Sequence, residues 1–384
     1  MSESKPPQFP SLGQSRSLVP PLYQSSVYTL PDLDTLDLIM NAEQQGYIYA
    51  RDGHPNSQFL AEQITDLENG SWAFICSSGM AAVSASLLGV VQEGDRIVAS
   101  RRLYGKTTQL FRDELSRFGV KTVFVDTNNI EETENALKEP TRVLFTETIS
   151  NPLLRIVDLP AIAKLIKDKD CYLIVDNTFA TPQLFKPLEH GATMVIESLT
   201  KMMAGHSDVT LGVVCGRGDF GMQVGPVVST WGFSANPFDC WLTSRGLSTL
   251  DIRMRASSYN AEQLALWLTE QPGVSQVYYP GLENHPDHQL AKRLFVGQYG
   301  NMLCFELKGG RAAVNRFLHA CPEIPFSPSL GHVTTTLSHP YLTSHRYVSP
   351  AEKRRQGITE GLIRLSVGVE DVATIQTVMA KGLE

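Results

Sequence analysis

Lys201 stands in the stretch ESLTKMMAGHSD, residues 197–208, directly behind the apolar run MVI. An ammonium this close to a core loses hydration that nothing obvious replaces. A neutral amine in the same place is a nucleophile, able to form an imine with a carbonyl. Its neighbours Ser198 and Thr200 offer hydroxyls to an anion. Upstream, FICSSGMAAVSASLLGVV reads as a strand, a turn and a helix of small residues. The unpaired backbone N–H groups around Ser78, Gly79 and Met80 at that helix start suit a phosphate. A third segment, YLIVDNTFATP, ends an apolar run on Asp176. A carboxylate there is costly without a cation or hydrogen-bond donors.

Each signal alone has a plain structural reading: a solvated lysine, a capping serine, an aspartate closing a turn. Together, an anion cradle, a buried carboxylate and an amine suit one ligand, pyridoxal 5'-phosphate. Its phosphate takes the helix start, its ring nitrogen takes Asp176, and its aldehyde takes Lys201.

Such groups must be delivered by rigid elements, and the chain supplies a series of them. Strand-like runs recur at WAFIC (72–76), RIVAS (96–100), KTVFVD (121–126), RVLFTET (142–148), YLIVDNT (172–178), TMVIES (193–198) and LGVVCG (211–216). Helix-like stretches such as TTQLFRDELSRFG and LPAIAKLIKDKD lie between several of them. Strands apolar throughout and separated by helices predict an α/β fold, a mostly parallel seven-stranded sheet covered on both faces. Ligands of such sheets bind at the carboxyl ends of the strands. Past Thr243 a long stretch of helical spacing runs to PGV (272–274), and NMLCFEL, RAAVNRFLHA and LIRLSVGV then predict a smaller α+β unit. Before Asn56 the chain carries little regular signal and reads as an arm. The expected division is an N-terminal arm at 1–55 contacting a neighbouring subunit, a large cofactor-binding domain at 56–245 and a C-terminal α+β domain at 246–384.

Composition narrows the class further. The 384 residues carry 42% hydrophobic and 19% charged side chains and a formal net charge of −7. With no basic block, nucleic acid is not an expected partner. No apolar run is long and uniform enough to span a membrane, and the first residues lack the apolar core of a secretory signal. The six cysteines are scattered without a CxxC pair, so neither a disulfide framework nor a metal site is expected. A reducing cytoplasm is the expected compartment.

The chain resembles the Cys/Met-metabolism pyridoxal-phosphate enzymes, which include cystathionine γ-synthase, cystathionine γ- and β-lyases, methionine γ-lyase and O-acylhomoserine sulfhydrylase. The motifs that carry the resemblance are YARDGHPNS, SSGMAA, LYGKT, ETISNPLLRIVD, VDNTFATP, SLTKMMAGHSDV and ITEGLIRLSVGVED, spread over nearly the whole chain. It implies the fold type I architecture of pyridoxal-phosphate transferases. Lys201 would hold the cofactor and then shuttle protons, and Tyr104 would stack on the ring and assist proton transfer at the leaving group. Tyr49 and Arg51 would reach the phosphate of a neighbouring subunit, implying a homo-oligomer, in this family usually a tetramer of dimers with shared sites. Arg364 would grip the substrate α-carboxylate, with Asn151 and Ser329 around it.

This chain departs from the family pattern at SLGHVTTTL. Thr334 stands where cystathionine-specialised members carry a glutamate, His332 replaces a small residue, and Lys106 follows Tyr104-Gly105. These three are the candidates for recognising the substrate's far end: Thr334 and Lys106 count against a distal ammonium, and Lys106, where the resemblance puts a cysteine in methionine γ-lyases, counts against that member. The expectation is a γ-lyase acting on an L-amino acid with a heteroatom leaving group at Cγ. The alternatives are γ-replacement on an O-acyl-L-homoserine by a thiol or sulfide, β-elimination, and, more remotely, aminotransfer or a non-enzymatic cofactor-binding protein. Elimination and replacement share every catalytic residue.

Overall fold

The computed structural model describes residues 13–295, 297–346 and 348–383. Seven strands form the larger sheet: β1 (Trp72–Cys76), β2 (Arg96–Ser100), β3 (Lys121–Val125), β4 (Val143–Glu147), β5 (Tyr172–Asp176), β6 (Met194–Glu197) and β7 (Gly212–Gly216). Their spatial order is β1-β7-β6-β5-β4-β2-β3. β7 runs antiparallel to both β1 and β6, and every other pairing is parallel. The strands are apolar on both sides because both sides are covered. Leu173, Val175, Val195 and Val213 pack with Leu60 and Ile64 of the helix Pro55–Glu68. Ile174, Ile196 and Val214 pack with Ala82 and Leu87 of the helix Gly79–Leu88 on the other face.

A second, antiparallel sheet has the order β10-β11-β9-β8, built from β8 (Val274–Tyr278), β9 (Met302–Leu307), β10 (Thr336–Ser338) and β11 (Leu362–Ser366). The helices Leu250–Thr269, Gly310–Ala320 and Val372–Leu383 contribute Leu264, Phe317 and Met379 to its core, against Phe305 and Leu365.

The long helical stretch beyond Thr243 is divided. One helix, Pro237–Leu247, ends and another, Leu250–Thr269, begins across Ser248-Thr249. The break lets Arg253 turn back: its buried guanidinium donates to the carbonyls of Met202 (2.6 Å), Met203 (3.0 Å) and Gly246 (2.9 Å). Burial among carbonyls, with no carboxylate paired to it among the described residues, pushes Arg253 down to about 10.

The segment before Asn56 is not wholly irregular. It holds the helix Leu33–Met40, capped by the Asp32 side chain and burying none of its residues. The arm is pinned by Asn56, which donates to the Pro21 carbonyl (2.8 Å), and by the Trp241 indole on the Pro20 carbonyl (2.8 Å). All six cysteines are free thiols. Among the described residues, no helix is long and apolar enough to cross a membrane.

Candidate active site

A cavity of about 600 Å³ opens at the carboxyl ends of β4, β5 and β6, beneath the start of the helix Gly79–Leu88. Ser78, Gly79, Met80, Tyr104, Asn151, Asp176, Ser198, Thr200, Lys201 and Arg364 all line it. The parallel register explains the convergence: Asp176 sits opposite Glu147 on β4 and Ile196 on β6, so successive strand ends deliver their polar residues to one place.

Ser78 caps the helix, its hydroxyl accepting from the Ala81 N–H at 3.1 Å. Gly79 lies flush on Ser198, where a Cβ would come within 2.9 Å of the serine Cβ. Only a glycine leaves that concavity open, at a helix start whose first amides suit an anion. The Thr200 hydroxyl exchanges hydrogen bonds with Leu211, donating to its carbonyl (3.2 Å) and accepting from its N–H (3.1 Å). Asp176 accepts at Oδ1 from the Thr178 N–H at 3.0 Å. Among the described residues no cation pairs with it, and burial raises its pKa above the usual aspartate value despite Thr178.

Lys201 is held by a tight turn, its N–H donating to the Ser198 carbonyl (3.1 Å) and its carbonyl accepting from the Gly205 N–H (2.8 Å). Its Nζ donates to the Ser329 hydroxyl at 3.1 Å. Burial, and then the positive charge of Arg364, lower its pKa and favour the neutral amine. Gly331 packs against this turn at φ +84°, where a Cβ would lie 2.5 Å from the Met202 nitrogen and 2.6 Å from the Lys201 carbonyl carbon. Two segments that are 128 residues apart are thus locked together behind the amine.

Arg364 lies in the middle of β11, 3% exposed. It donates to Asn151 Oδ1 (2.8 Å) and to the Ser329 carbonyl (3.3 Å), and its guanidinium stands 6.0 Å from the Phe179 ring centroid. Among the described residues no carboxylate forms an ion pair with it. A buried cation whose partners are all neutral is strongly disposed to an incoming anion.

Glu147 is a site residue that no motif singles out. It is 7% exposed and lines the cavity, accepting from the Tyr104 N–H at 2.7 Å. Burial, and then the negative charge of Asp176, raise its pKa well above the usual carboxylate range. A glutamate ending the apolar run VLFTE, in step with Asp176 on the next strand, was the available clue. Arg253, which braces the Lys201 turn from behind, and the loop residues Leu342, Thr343 and Ser344, which line the cavity, carry no local signal.

Six expected site residues are not on the cavity wall of this single chain; one, Ser329, lies directly behind it between the lining residues Pro328 and Leu330, in contact with Lys201 and Arg364. Tyr49 is 43% exposed on the arm, with the Arg51 guanidinium 5.1 Å from its ring centroid. Lys106 is exposed on the short helix Gly105–Gln109 and donates to Gln109 Oε1 at 3.1 Å. The His332 ring accepts from the Thr334 N–H at 2.9 Å, a local turn beside the wall that Leu330 provides. Thr334 enters that turn through its backbone N–H, and neither it nor His332 lines the cavity.

This fold and this convergence of amine, carboxylate, helix start and buried guanidinium define a fold type I pyridoxal-phosphate-dependent enzyme. A profile of the family described as Cys/Met metabolism PLP-dependent enzyme matches residues 8–384, and the chain belongs to that family. An L-methionine gamma-lyase of Fusobacterium nucleatum subsp. polymorphum is 40% identical over 371 residues, 96% of this chain and 94% of that protein. An O-succinylhomoserine sulfhydrylase of Pseudomonas aeruginosa is 40% identical over 341 residues, 89% of this chain and 84% of that one. Among solved structures, the cystathionine gamma synthase of Xanthomonas oryzae pv. oryzae in complex with cystathionine aligns with a TM-score of 0.90 at 35% identity, covering 96% of this chain and 93% of that one. The resemblance read from the motifs is therefore shown, and with it the dependence on pyridoxal 5'-phosphate. The residues present fit that cofactor: an open glycine cradle at a helix start, a carboxylate with no cation, and a buried amine surround one cavity.

Proposed function

We propose that the enzyme is a γ-lyase that removes an uncharged, thioether-like group from Cγ of an L-amino acid. The carrying observation is the shared placement of Lys201 and Arg364 on Ser329, the amine on its hydroxyl at 3.1 Å and the guanidinium on its carbonyl at 3.3 Å. An amine and an anion-seeking fork one residue apart match the α-carbon and α-carboxylate of an amino acid.

In this reading the amides of Gly79 and Met80 with Ser198 and Thr200 hold the cofactor phosphate, and Asp176 holds the protonated ring nitrogen. When bound, the cofactor supplies an electron sink that acidifies the hydrogens on Cα and then on Cβ. Arg364 and Asn151 hold the α-carboxylate so that the Cα–H faces Lys201. The neutral amine that burial favours takes that proton and returns protons along the chain of the substrate. Tyr104, 41% exposed at the cavity mouth, carries the phenol that protonates the leaving group.

Charge accounting in the cavity supports an uncharged far end. Its charged lining is Glu147, Asp176, Lys201 and Arg364. Three are engaged as described, and burial keeps Glu147 toward its neutral form. No lining charge is left for a distal ammonium or carboxylate. Relatives named L-methionine gamma-lyase agree with elimination. The relative named O-succinylhomoserine sulfhydrylase supports γ-replacement as the second reading.

The exposed arm suits assembly. Leu18, Val27, Leu33 and Met40 lie open to solvent alongside Tyr49 and Arg51. We place them against the partner of a homodimer within a tetramer, with Tyr49 and Arg51 completing the partner's phosphate site. The two sheets fit units at 56–245 and 246–384, and the free thiols fit a cytoplasmic enzyme.

Incubation with a panel of neutral thioether amino acids, cystathionine and O-acyl-homoserines, with and without added thiol, tests the reading. Expected are 2-oxobutyrate and ammonia from the neutral thioether without any added nucleophile, at about tenfold higher kcat/KM than from cystathionine, the cost of one unpaired charge. Product formed only when thiol is added would establish replacement instead, and pyruvate would establish β-elimination.

A further inference from the structure

Behind the cavity, on the opposite face of the sheet, two carboxyl groups meet in the core. Glu68 is the last residue of the helix Pro55–Glu68, and Glu197 is the last residue of β6, directly before Ser198. Both are 0% exposed, as is Asn177, directly after Asp176. Strand alternation explains the placement: Asp176 and Ser198 turn to the cavity, and their neighbours turn to the helix side.

The hydrogen bonds tie this cluster into the site's scaffold. Asn177 Nδ2 donates to Glu197 Oε1 (3.3 Å), Glu68 Oε1 (3.4 Å) and the Phe185 carbonyl (2.9 Å). Its Oδ1 accepts from the Thr148 hydroxyl at 2.7 Å, and its N–H donates to the Ile196 carbonyl at 2.8 Å. The ends of β4, β5 and β6 are thereby joined at one point. The two carboxyls share the Asn177 amide, and the Oε2 of each is buried with no hydrogen-bond partner among the described residues. Two ionised carboxylates cannot occupy such a place. A proton carried by one and donated to the other supplies the missing donor and leaves a single negative charge.

We propose that Glu68 and Glu197 act as one positioning unit, sharing a single proton and, through Asn177, fixing the ends of β5 and β6 so that Asp176 and Ser198 meet the cofactor in register. The inference rests on the cofactor reading of the cavity. The charges facing the pair are Lys186 and Glu189 toward Glu68, Asp176 toward Glu197, and the Cys215 thiol toward both. The Asn177 amide and Lys186 favour ionisation. Burial outweighs them and pushes Glu68 up to about 7 from an ordinary 4.5, and Glu197 well above the usual carboxylate range. The negative end of the helix that carries Glu68 acts in the same direction.

The sign follows from linkage. Between the ordinary and the raised value, the folded chain holds a proton that the unfolded chain has released. Stability contributed by the pair is complete below the ordinary carboxyl value and is lost as pH rises to about 7. A cofactor phosphate beside Ser198 holds the proton more firmly, so cofactor affinity falls as pH rises beyond that point.

The test compares wild type with Glu197→Gln, whose amide supplies a permanent donor. Urea unfolding of the cofactor-free protein from pH 5 to 7 is expected to weaken by up to about tenfold per pH unit more in wild type than in the variant. The dissociation constant for pyridoxal 5'-phosphate, read from its absorbance, is expected to rise about tenfold more in wild type between pH 7 and 8.5. Parallel profiles in the two proteins would overturn the proposal. If Glu197→Gln does not fold, Glu68→Gln takes its place, and flat cofactor retention by wild type alone from pH 6 to 9 overturns the proposal without any variant. A protein that binds no cofactor at any pH would sink the cofactor reading, while the unfolding comparison still decides the proton sharing.

Discussion

Lys201→Ala is expected to lower kcat by about 10³-fold or more, because one side chain both bonds the cofactor and moves the substrate's protons. The fold should survive the change. The turn around residue 201 is held by its own backbone, by the three carbonyl contacts of Arg253 and by the close packing of Gly331, none of which needs the amine. Truncation also removes a buried amine whose side-chain hydrogen bond among the described residues goes to Ser329. The variant should melt within a few degrees of wild type and still take up the cofactor, now without the absorption of the lysine adduct. A small primary amine added to the assay should restore part of the rate, since the cavity left by the side chain can admit it. Steady-state kinetics beside a thermal melt decides the matter. Turnover within tenfold of wild type would contradict the assigned role.

Arg364→Leu is expected to lower kcat/KM by roughly 10²- to 10³-fold, the loss of a bidentate charge-assisted contact with the α-carboxylate at about 3–4 kcal/mol. Most of the change should fall on KM, with a smaller fall in kcat because the Cα–H is no longer aimed at Lys201. Stability separates this role from a structural one. Arg364 is buried at 3% exposure against neutral acceptors, so the free enzyme bears its desolvation without an ion pair in return. Leucine should therefore leave the melting temperature unchanged or raise it, in spite of the lost bond to Asn151. Arg364→Lys, which keeps the charge and loses the fork, should lie between the two. A destabilised variant with unchanged KM would mark Arg364 as scaffold.

What the sequence disclosed follows the range of the physics behind it. The seven strands of the larger sheet were legible because burial on both faces writes continuous apolar runs such as YLIVD and MVIE. Lys201, Asp176 and Gly79 were legible because each interrupts or ends such a run with a residue that the core would not choose. Partners at long range left no local mark. Arg253 reaches the lysine turn across 51 residues, Ser329 reaches Lys201 across 128, and Glu68 meets Asn177 across 109. The helix Leu33–Met40 carries an apolar stripe at Leu33, Leu36 and Met40, but its eight residues are too short a run for periodicity to separate from an irregular arm. Lys106, His332 and Thr334 stood out as departures in chemistry, but chemistry does not say which way a side chain faces. In one chain the wall near them is formed by Leu330, Leu342, Thr343 and Ser344 instead.

The central claim is that Lys201, between the phosphate-binding turn and Arg364, carries the cofactor. Reduction of the purified, cofactor-loaded enzyme with borohydride, followed by proteolysis and mass mapping, tests it most directly. The account predicts one pyridoxyl phosphate per chain, on the peptide that contains Lys201, and protection of that site when a slowly reacting amino acid is present. A label on any other lysine, or an active enzyme that takes no label, would contradict it.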